Sequence, residues 1–194
     1  EGRPTDQSVL TGRMIDRAIR PLFDQEDKRD VQVIISVLAV DGENDYDVIS
    51  LLAASAALSI SGINWQGPIG AIRVGLIDGQ FIFNPSYIEQ AKSDLDLLVA
   101  GTCERLIMVE AGANEVPEEI IGDAIVIGLK SMKPALDLLT ELKANITPKE
   151  RIAKPILKSQ EELAKEEAKK ELLANGTEWL KKNIPNIIFD KIYY

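Results

Sequence analysis

The stretch ISLLAASAALSISG, residues 49–62, decides the fold. It contains no charged side chain and few large ones, so a helix of this sequence is apolar and small on every side. Such a helix belongs inside a fold, where its alanines and serines let neighbouring elements approach closely. The preceding DGENDYD, residues 41–47, predicts a turn that ends in helix-capping side chains, and Gly62 predicts a C-terminal cap.

The segments before this helix predict a strand, a loop and a second helix. VQVIISVLAV, residues 31–40, is apolar and β-branched, which predicts a buried strand, and the charged residues 24–30 predict a loop. Upstream, Thr5 or Asp6 can cap a helix that runs to about Arg20. The two sides of this helix differ. Met14, Ile15, Ala18 and Ile19 form an apolar side, and Arg13, Arg17 and Arg20 form a basic side.

The segments after the central helix predict two hairpins and a helix. DGQ separates two strands in residues 69–83, and Cys103-Glu104 connects two more in residues 95–112. Pro117 then begins a helix to about residue 146, with a break before Pro134. The order helix, strand, helix, hairpin, hairpin, helix predicts an α+β fold with two layers.

The character of the chain changes near residues 146–150, where we place a domain boundary. Residues 1–145 carry 12 basic and 23 acidic residues, a net charge of −11, whereas residues 146–194 carry 10 and 8, a net charge of +2. QEELAKEEAKKELL, residues 160–173, is rich in Glu/Lys pairs four residues apart and predicts an exposed helix.

The composition excludes several classes of function. A formal charge of −9 argues against nonspecific coating of nucleic acid, so any RNA contact needs a local basic patch. With no histidine and one cysteine, Cys103, the chain has no internal disulfide, zinc cluster or His-dependent triad. A lone cysteine fits a reducing compartment, and we expect a cytoplasmic protein without a membrane span. Because residue 1 is not Met and lies next to the first helix, we expect an internal piece of a longer protein; proteolytic maturation is the alternative.

Four segments in one consistent order resemble the first RNase PH-like core of the bacterial polynucleotide phosphorylase family. They are EGRPTDQSVLTGRMIDRAIRPLF (1–23), VQVIISVLAVDGENDYDVISLLAASAALSISGI (31–63), GPIGAIRVG (67–75) and DLDLLVAGT (94–102). The similarity runs through residues 1 to about 145. Residues 146–194 resemble, less specifically, the all-helical linker that follows that core.

The resemblance implies a phosphate-dependent exoribonuclease that degrades single-stranded RNA, including mRNA, from the 3′ end and releases nucleoside diphosphates. The reaction is reversible and uses Mg²⁺, with inorganic phosphate as co-substrate. The family chain holds two RNase PH-like cores joined by a helical domain, followed by KH and OB-fold domains. It forms a ring-shaped trimer and can join RNA-degradation complexes. The opening strands of the first core and an aromatic–arginine loop of the RNA channel should lie upstream of Glu1.

In the family the second core performs the chemistry, and its phosphate-binding serines start the helix equivalent to residues 47–61. Here Asp45 and Asp47 stand at that place, and carboxylates at a helix N-terminus repel phosphate. We therefore expect a catalytically silent core, with no catalytic residue. Asp96 and Glu110 are candidate Mg²⁺ ligands on adjacent strands, the alternative being that they are solvated strand residues like Asp94.

The arginines are the candidate RNA-binding residues. Arg3, in a GR motif resembling a phosphate-contacting one in single-core RNase PH enzymes, and Arg13, Arg17 and Arg20 would face RNA phosphates. Alternatively, these arginines pair within the chain, with Asp16, Asp24 or Asp27, or between subunits of the ring. Arg73, in GAIRVG, is open to a structural or a functional role.

Two further functions stay open at this point. One is a stand-alone, non-catalytic RNA-binding or scaffold subunit of an exosome-like ring, although single-core relatives end without the helical segment after residue 146. The other is an unrelated α+β enzyme acting on a small molecule, which would need a phosphate-binding Gly/Ser loop that the sequence lacks.

Overall fold

A computed structural model describes residues 2–24, 30–146, 167–168 and 170–178. Its elements are α1 (Asp6–Ile19, followed by a 3₁₀ turn at Arg20–Leu22), α2 (Asp47–Ile60), β1 (Gly70–Ile77), β2 (Gln80–Phe83), α3 (Tyr87–Gln90), β3 (Leu95–Gly101), β4 (Leu106–Ala113), α4 (Glu118–Ser131) and α5 (Lys133–Asn145). Residues 167–168 and 170–178 are helical and exposed. The rest of the predicted exposed helix at 160–173, and residues 25–29 of the predicted loop, lie outside the described residues.

The strands form one antiparallel sheet in the order β2-β1-β3-β4. The first hairpin turns at Asp78 and Gly79, whose φ angles of 50° and 75° lie in the left-handed region that such two-residue turns require. The second hairpin turns over a longer loop than the two residues predicted, since β3 ends at Gly101 and β4 begins at Leu106. Both predicted hairpins are therefore present.

Helices cover both faces of the sheet. One hydrophobic cluster joins α1 and α2 to Ala71, Leu98 and Ala100, and the other joins α4 and α5 to the alternating residues Ile72, Val74, Leu97 and Val99. Apart from Arg73 and Asp96, β1 and β3 carry apolar residues on both sides, so each side has to be covered from water. The α+β class expected from the sequence is confirmed, but the two expected layers are three, helix–sheet–helix.

The helices match their sequence signals. Thr5 caps α1 by accepting a hydrogen bond from the N–H of Ser8, at 3.2 Å. The apolar side of α1 is buried as expected, and α2 carries the buried Leu51, Ala54 and Leu58. The long C-terminal helix breaks at Met132, and Pro134 is the second residue of α5.

The predicted buried strand at residues 31–40 is wrong. The structure assigns no strand there, and Ile34 and Leu38 are 77% and 94% exposed. Val33 and Ile35 pack partly against the first cluster and border a hollow of about 540 Å³ beside α1. β-branched residues favour a strand only when a neighbouring strand supplies hydrogen-bond partners, and none pairs with this segment in the described part of the chain.

The chain divides into two compact units, Glu1–Glu150 and Arg151–Tyr194. The boundary we expect near residues 146–150, and the helical-linker character of residues 146–194, remain predictions. No helix in the described ranges combines the length and apolar character needed to span a membrane.

Two buried serines of α2 lead to opposite predictions. Ser55 accepts a hydrogen bond from the buried N–H of Ile69, at 3.0 Å, whereas the Ser59 hydroxyl has no partner among the described residues. We expect Ser55→Ala to lower the free energy of unfolding by about 1–2 kcal/mol, because it leaves a buried N–H unsatisfied. Ser59→Ala should raise it by up to about 1 kcal/mol, because it removes an unpaired hydroxyl and favours the helix. Urea unfolding of both variants tests this contrast, which equal losses would contradict.

Candidate functional site

Arg73 of β1 lies at the centre of a cluster of three carboxylates. Its guanidinium donates to Asp47, the first residue of α2, and to Asp96 of β3, where Nη1 and Oδ1 are 2.5 Å apart. Asp45 lies 4.0 Å from the same guanidinium. The side chains of Arg73 and Asp47 are only 16% and 7% exposed, so this ion pair is mostly buried. Arg73 thus has a structural role, one of the two left open by the sequence.

The loop before α2 directs its carboxylates to backbone N–H groups. Asp41 accepts hydrogen bonds from the N–H groups of Glu43 and Asn44, at 2.8 and 2.9 Å. These bonds, with one from the Asn44 side chain, lower the pKa of Asp41 to about 2. Asp45 accepts from the N–H of Asp47, and Asp47 from that of Val48. Carboxylates therefore occupy the positive end of α2, where an incoming anion would otherwise bind.

The charges of the cluster are not balanced. Burial alone would lower the pKa of Arg73, but the hydrogen bonds and negative charges of Asp47 and Asp96 raise it, so this arginine stays charged. Burial and the charge of Asp47 raise the pKa of Asp45, against the opposing effects of backbone hydrogen bonds and Arg73. One guanidinium thus faces three carboxylates, which makes the site unfavourable for phosphate.

The Mg²⁺ candidates do not fit a divalent cation. Glu110 lies directly across from Leu98, so Glu110 and Asp96 share a face of the sheet. However, Asp96 accepts from Arg73, and Glu110 accepts from Arg17 of α1. No group of three or more acidic, histidine or cysteine side chains within the described ranges is arranged to hold a metal ion. We derive no catalytic step through a metal at these residues.

Two of the four candidate RNA-binding arginines form ion pairs with carboxylates, and the other two form none with the described residues. Arg17 forms an ion pair with Glu110, and Arg20 forms a two-point pair with Asp16, at 3.1 and 2.5 Å, which raises the pKa of Arg20. Arg3 and Arg13 are exposed and have no ion-pair partner among the residues that the structure describes. Among the described residues, pairing within the chain therefore occurs for Arg17 and Arg20, with the expected partner Asp16 for Arg20 and with Glu110 instead of an aspartate for Arg17.

The Arg73 cluster and Glu110, the partner of Arg17, border one hollow of about 400 Å³. α1 forms one wall through Gln7, Leu10 and Thr11, and β3 and β4 form the floor. We call this the α1 hollow. The sequence analysis left the role of Arg73 open and did not predict that it pairs with the carboxylates of this hollow. The signal was present, because a lone arginine in the otherwise apolar GAIRVGLI required a buried acidic partner.

Asp45→Asn should stabilise the protein at neutral pH. The pKa of Asp45 is raised in the folded chain, so its charged form costs stability, and this cost disappears as the pH falls through the raised pKa. Asparagine lacks the charge but keeps the oxygen that accepts from Asp47. We expect a gain of about 0.5 kcal/mol at neutral pH that fades towards about pH 3. Urea unfolding across this range tests it; a loss at neutral pH would contradict the assignment.

Comparisons with known protein families match most of the first unit. Residues 1–64 match the model of domain 1 of the 3′ exoribonuclease family, and residues 67–131 match the model of its domain 2. The two matches follow each other in chain order, and the sheet, α3 and α4 lie within the second.

Curated relatives are similar over the same region. The chain is 50% identical over 155 residues to the polyribonucleotide nucleotidyltransferase of Rhodospirillum centenum, which covers 80% of this chain and 22% of that protein. It is 49% identical over 150 residues to the protein of the same name from Brucella ovis, covering 77% and 21%. The chain thus spans about a fifth of the length of these relatives.

A solved structure shares the fold. The crystal structure of rice Rrp46 superposes with a TM-score of 0.58 at 16% sequence identity, covering 74% of this chain and 69% of the rice chain. At this identity the likeness concerns the arrangement of helices and strands, and it agrees with the α+β core described above.

Proposed function

The chain belongs to the 3′ exoribonuclease family, and we propose that it is part of a polyribonucleotide nucleotidyltransferase. This enzyme degrades RNA from the 3′ end with inorganic phosphate as co-substrate and releases nucleoside diphosphates. The observation that carries the proposal is the pair of consecutive domain matches, together with about half of the residues being identical to enzymes of that name. Because the chain spans about a fifth of those enzymes, the activity is proposed for the whole protein.

We propose further that this core is catalytically silent. An attacking phosphate needs donors at a helix N-terminus, a cation to offset charge at the scissile bond, and no competing anion. In this core the carboxylates of Asp45 and Asp47 lie at the N-terminus of α2 and accept from its first N–H groups, and the neighbouring cation, Arg73, is already paired with Asp47 and Asp96. The Mg²⁺ and phosphate sites would accordingly lie in a second core of the whole protein.

The proposed contribution of this core is a surface along the RNA path. Arg3 and Arg13, which have no ion-pair partner in the described part of the chain, would neutralise phosphates, and Arg17 and Arg20, although paired, keep side chains that are 54% and 72% exposed. Exposed pairs of this kind are weak, so they could be exchanged for contacts with an RNA phosphate. We expect Arg3 and Arg13 to bind more strongly than Arg17 and Arg20, which must first release a partner.

The assembly is proposed on the same basis. The whole protein would form a homotrimeric ring in the cytoplasm, act in mRNA degradation with partner proteins, and use residues 146–194 as the start of a helical linker. The alternative function is a non-catalytic RNA-binding or scaffold subunit of an exosome-like ring. A core in which carboxylates paired with Arg73 take the place of a phosphate site would suit that function as well. Downstream coding sequence discriminates them: a second core with serines before its buried helix would favour the enzyme.

One experiment tests both parts of the proposal on the purified chain, with its fold checked by circular dichroism. Labelled poly(A), Mg²⁺ and phosphate are added, and ADP release and RNA retention are measured together. We expect no ADP release, and RNA retention that Arg3→Glu/Arg13→Glu weakens about tenfold while reducing its salt dependence. The control is Lys92→Glu/Lys143→Glu, which changes the net charge by the same amount at positions outside α1.

The opposite outcomes are also distinct. ADP release that Asp96→Ala abolishes would overturn the silence of this core and make Asp96 a functional ligand. RNA retention that is equally sensitive to the control variant would show that only net charge matters, and Arg3 and Arg13 would then have no specific role.

A further inference from the structure

A third hollow, of about 390 Å³, lies where the turn between β3 and β4 meets the junction of α4 and α5. It shares no lining residue with the α1 hollow. Its lining combines three leucines, Leu106, Leu129 and Leu136, with three cations, Arg105, Lys130 and Lys133, and one carboxylate, Glu104, so that its charged side chains sum to +2. We call it the α4–α5 hollow.

The rim of this hollow is held by local hydrogen bonds. The N–H of Thr102 donates to the carbonyl of Arg105 at 2.9 Å, and the Thr102 hydroxyl accepts from the N–H groups of Glu104 and Arg105, at 3.3 and 3.1 Å. A Cβ at Gly101 would lie 2.7 Å from the Arg105 carbonyl and 3.0 Å from Leu129. The turn therefore packs closely on α4, and Arg105 projects from a fixed backbone.

The cations of the rim have no ion-pair partner in the part of the chain that the structure describes. Within the described ranges Arg105, Lys130 and Lys133 form no ion pair, whereas Arg17, Arg20 and Arg73 all do. Lys130 lies in the last turn of α4 and Lys133 is the first residue of α5, so three cations without an ion-pair partner among the described residues flank one concavity. Residues 1–145 carry a net charge of −11, which makes this rim a local reversal of sign.

We propose that the α4–α5 hollow docks a short acidic segment of a partner protein. An apolar side chain of that segment would enter against the leucines, and Asp or Glu residues beside it would pair with Arg105, Lys130 and Lys133. Charge complementarity and the exposed Leu106, 41% accessible, identify this chemistry.

RNA suits the α4–α5 hollow less well than an acidic peptide does. None of its lining residues is aromatic, so it offers no platform on which a base could stack. Its leucines would leave the polar edges of a base without hydrogen-bond partners. A long polyanion would also extend beyond three cations over a unit whose residues 1–145 carry a net charge of −11, whereas a short peptide can place its few carboxylates against those cations.

The sole cysteine of the sequence provides a local reporter. Cys103 is exposed and lines the hollow, so an environment-sensitive fluorophore on its thiol reports binding there. The probes are a synthetic peptide rich in Asp and Glu that carries two leucines, the same peptide with serines in place of the leucines, and an oligoadenylate of equal charge. Isothermal calorimetry on the unlabelled chain repeats each titration, so that interference by the label is detected.

We expect the leucine peptide to bind saturably with a dissociation constant of about 10–100 µM, and the serine peptide to bind at least about tenfold more weakly. Lys130→Glu/Lys133→Glu should weaken the leucine peptide about tenfold or more, and Lys92→Glu/Lys143→Glu, with the same change in net charge, less than about twofold. Absence of saturable binding in both measurements overturns the proposal. So does equal binding of the serine peptide, or tighter binding of the oligoadenylate, which would make the hollow an RNA contact. None of these three outcomes tests the proposed exoribonuclease function.

Discussion

Arg73→Met is expected to lower the free energy of unfolding by about 3–5 kcal/mol. Methionine can fill much of the space of the arginine stem but carries no charge. Asp47, which is 5% exposed, then loses its ion-pair partner while Asp45 and Asp96 remain nearby. A buried carboxylate without a partner, close to two others, is costly because the protein interior cannot replace the water it has lost. Urea unfolding followed by circular dichroism measures the loss.

Two further variants separate the ion pair from general effects of losing an arginine. Arg20→Met breaks an exposed pair with Asp16, and its cost should stay below about 1 kcal/mol. Adding Asp47→Asn to Arg73→Met removes the uncompensated charge and should recover part of the stability. A loss for Arg73→Met no larger than that for Arg20→Met would mean that water reaches Asp47, and the cluster would then not be a closed one.

The elements that local chemistry determines could be predicted from the sequence. Asp78 and Gly79 form the expected hairpin turn, and Thr5 and the proline after Met132 mark the expected helix boundaries. Residues 31–40 could not be predicted in this way, because β-branched composition describes what a strand needs from its side chains and not whether a neighbouring strand is present. The third layer was missed for a similar reason: a run of apolar residues shows that a strand is buried but not what covers each face.

The candidate site depended on contacts between distant residues. Arg73 meets Asp47 across 26 positions of the sequence, and Arg17 meets Glu110 across 93. Sequence reasoning identified the carboxylates before α2 and their hostility to phosphate, because a helix N-terminus is a local feature. It could not show that Asp96 and Glu110 are already paired, since that follows from the register of β1, β3 and β4 and from the position of α1 over the sheet. Whether Arg3 and Arg13 bind RNA stays a prediction.

Trp65→Ala is the second large effect, with an expected loss of about 3–5 kcal/mol. Trp65 is 8% exposed and belongs to the cluster that joins α1 and α2 to the sheet. Its ring lies 6.2 Å from that of Phe23, measured between centroids, and its Nε1 donates to the carbonyl of Ile19 at 3.3 Å. Alanine would leave a cavity and would remove the indole's hydrogen bond to the carbonyl at the end of α1.

This effect should extend to Arg13 and Arg17, because Trp65 anchors the C-terminal end of α1, the helix that carries them. The N–H of Gln66 also donates to the carbonyl of Leu22, at 2.9 Å. Trp65→Ala keeps both of these groups but removes the indole that packs beside them. Trp65→Phe keeps most of the ring volume and loses one hydrogen bond, so its cost should be about 1–2 kcal/mol. If Trp65→Ala costs no more than Trp65→Phe, packing around the indole is looser than the described contacts imply. A full loss with unchanged RNA retention would show instead that Arg3 and Arg13 contact RNA, if at all, independently of how α1 is anchored.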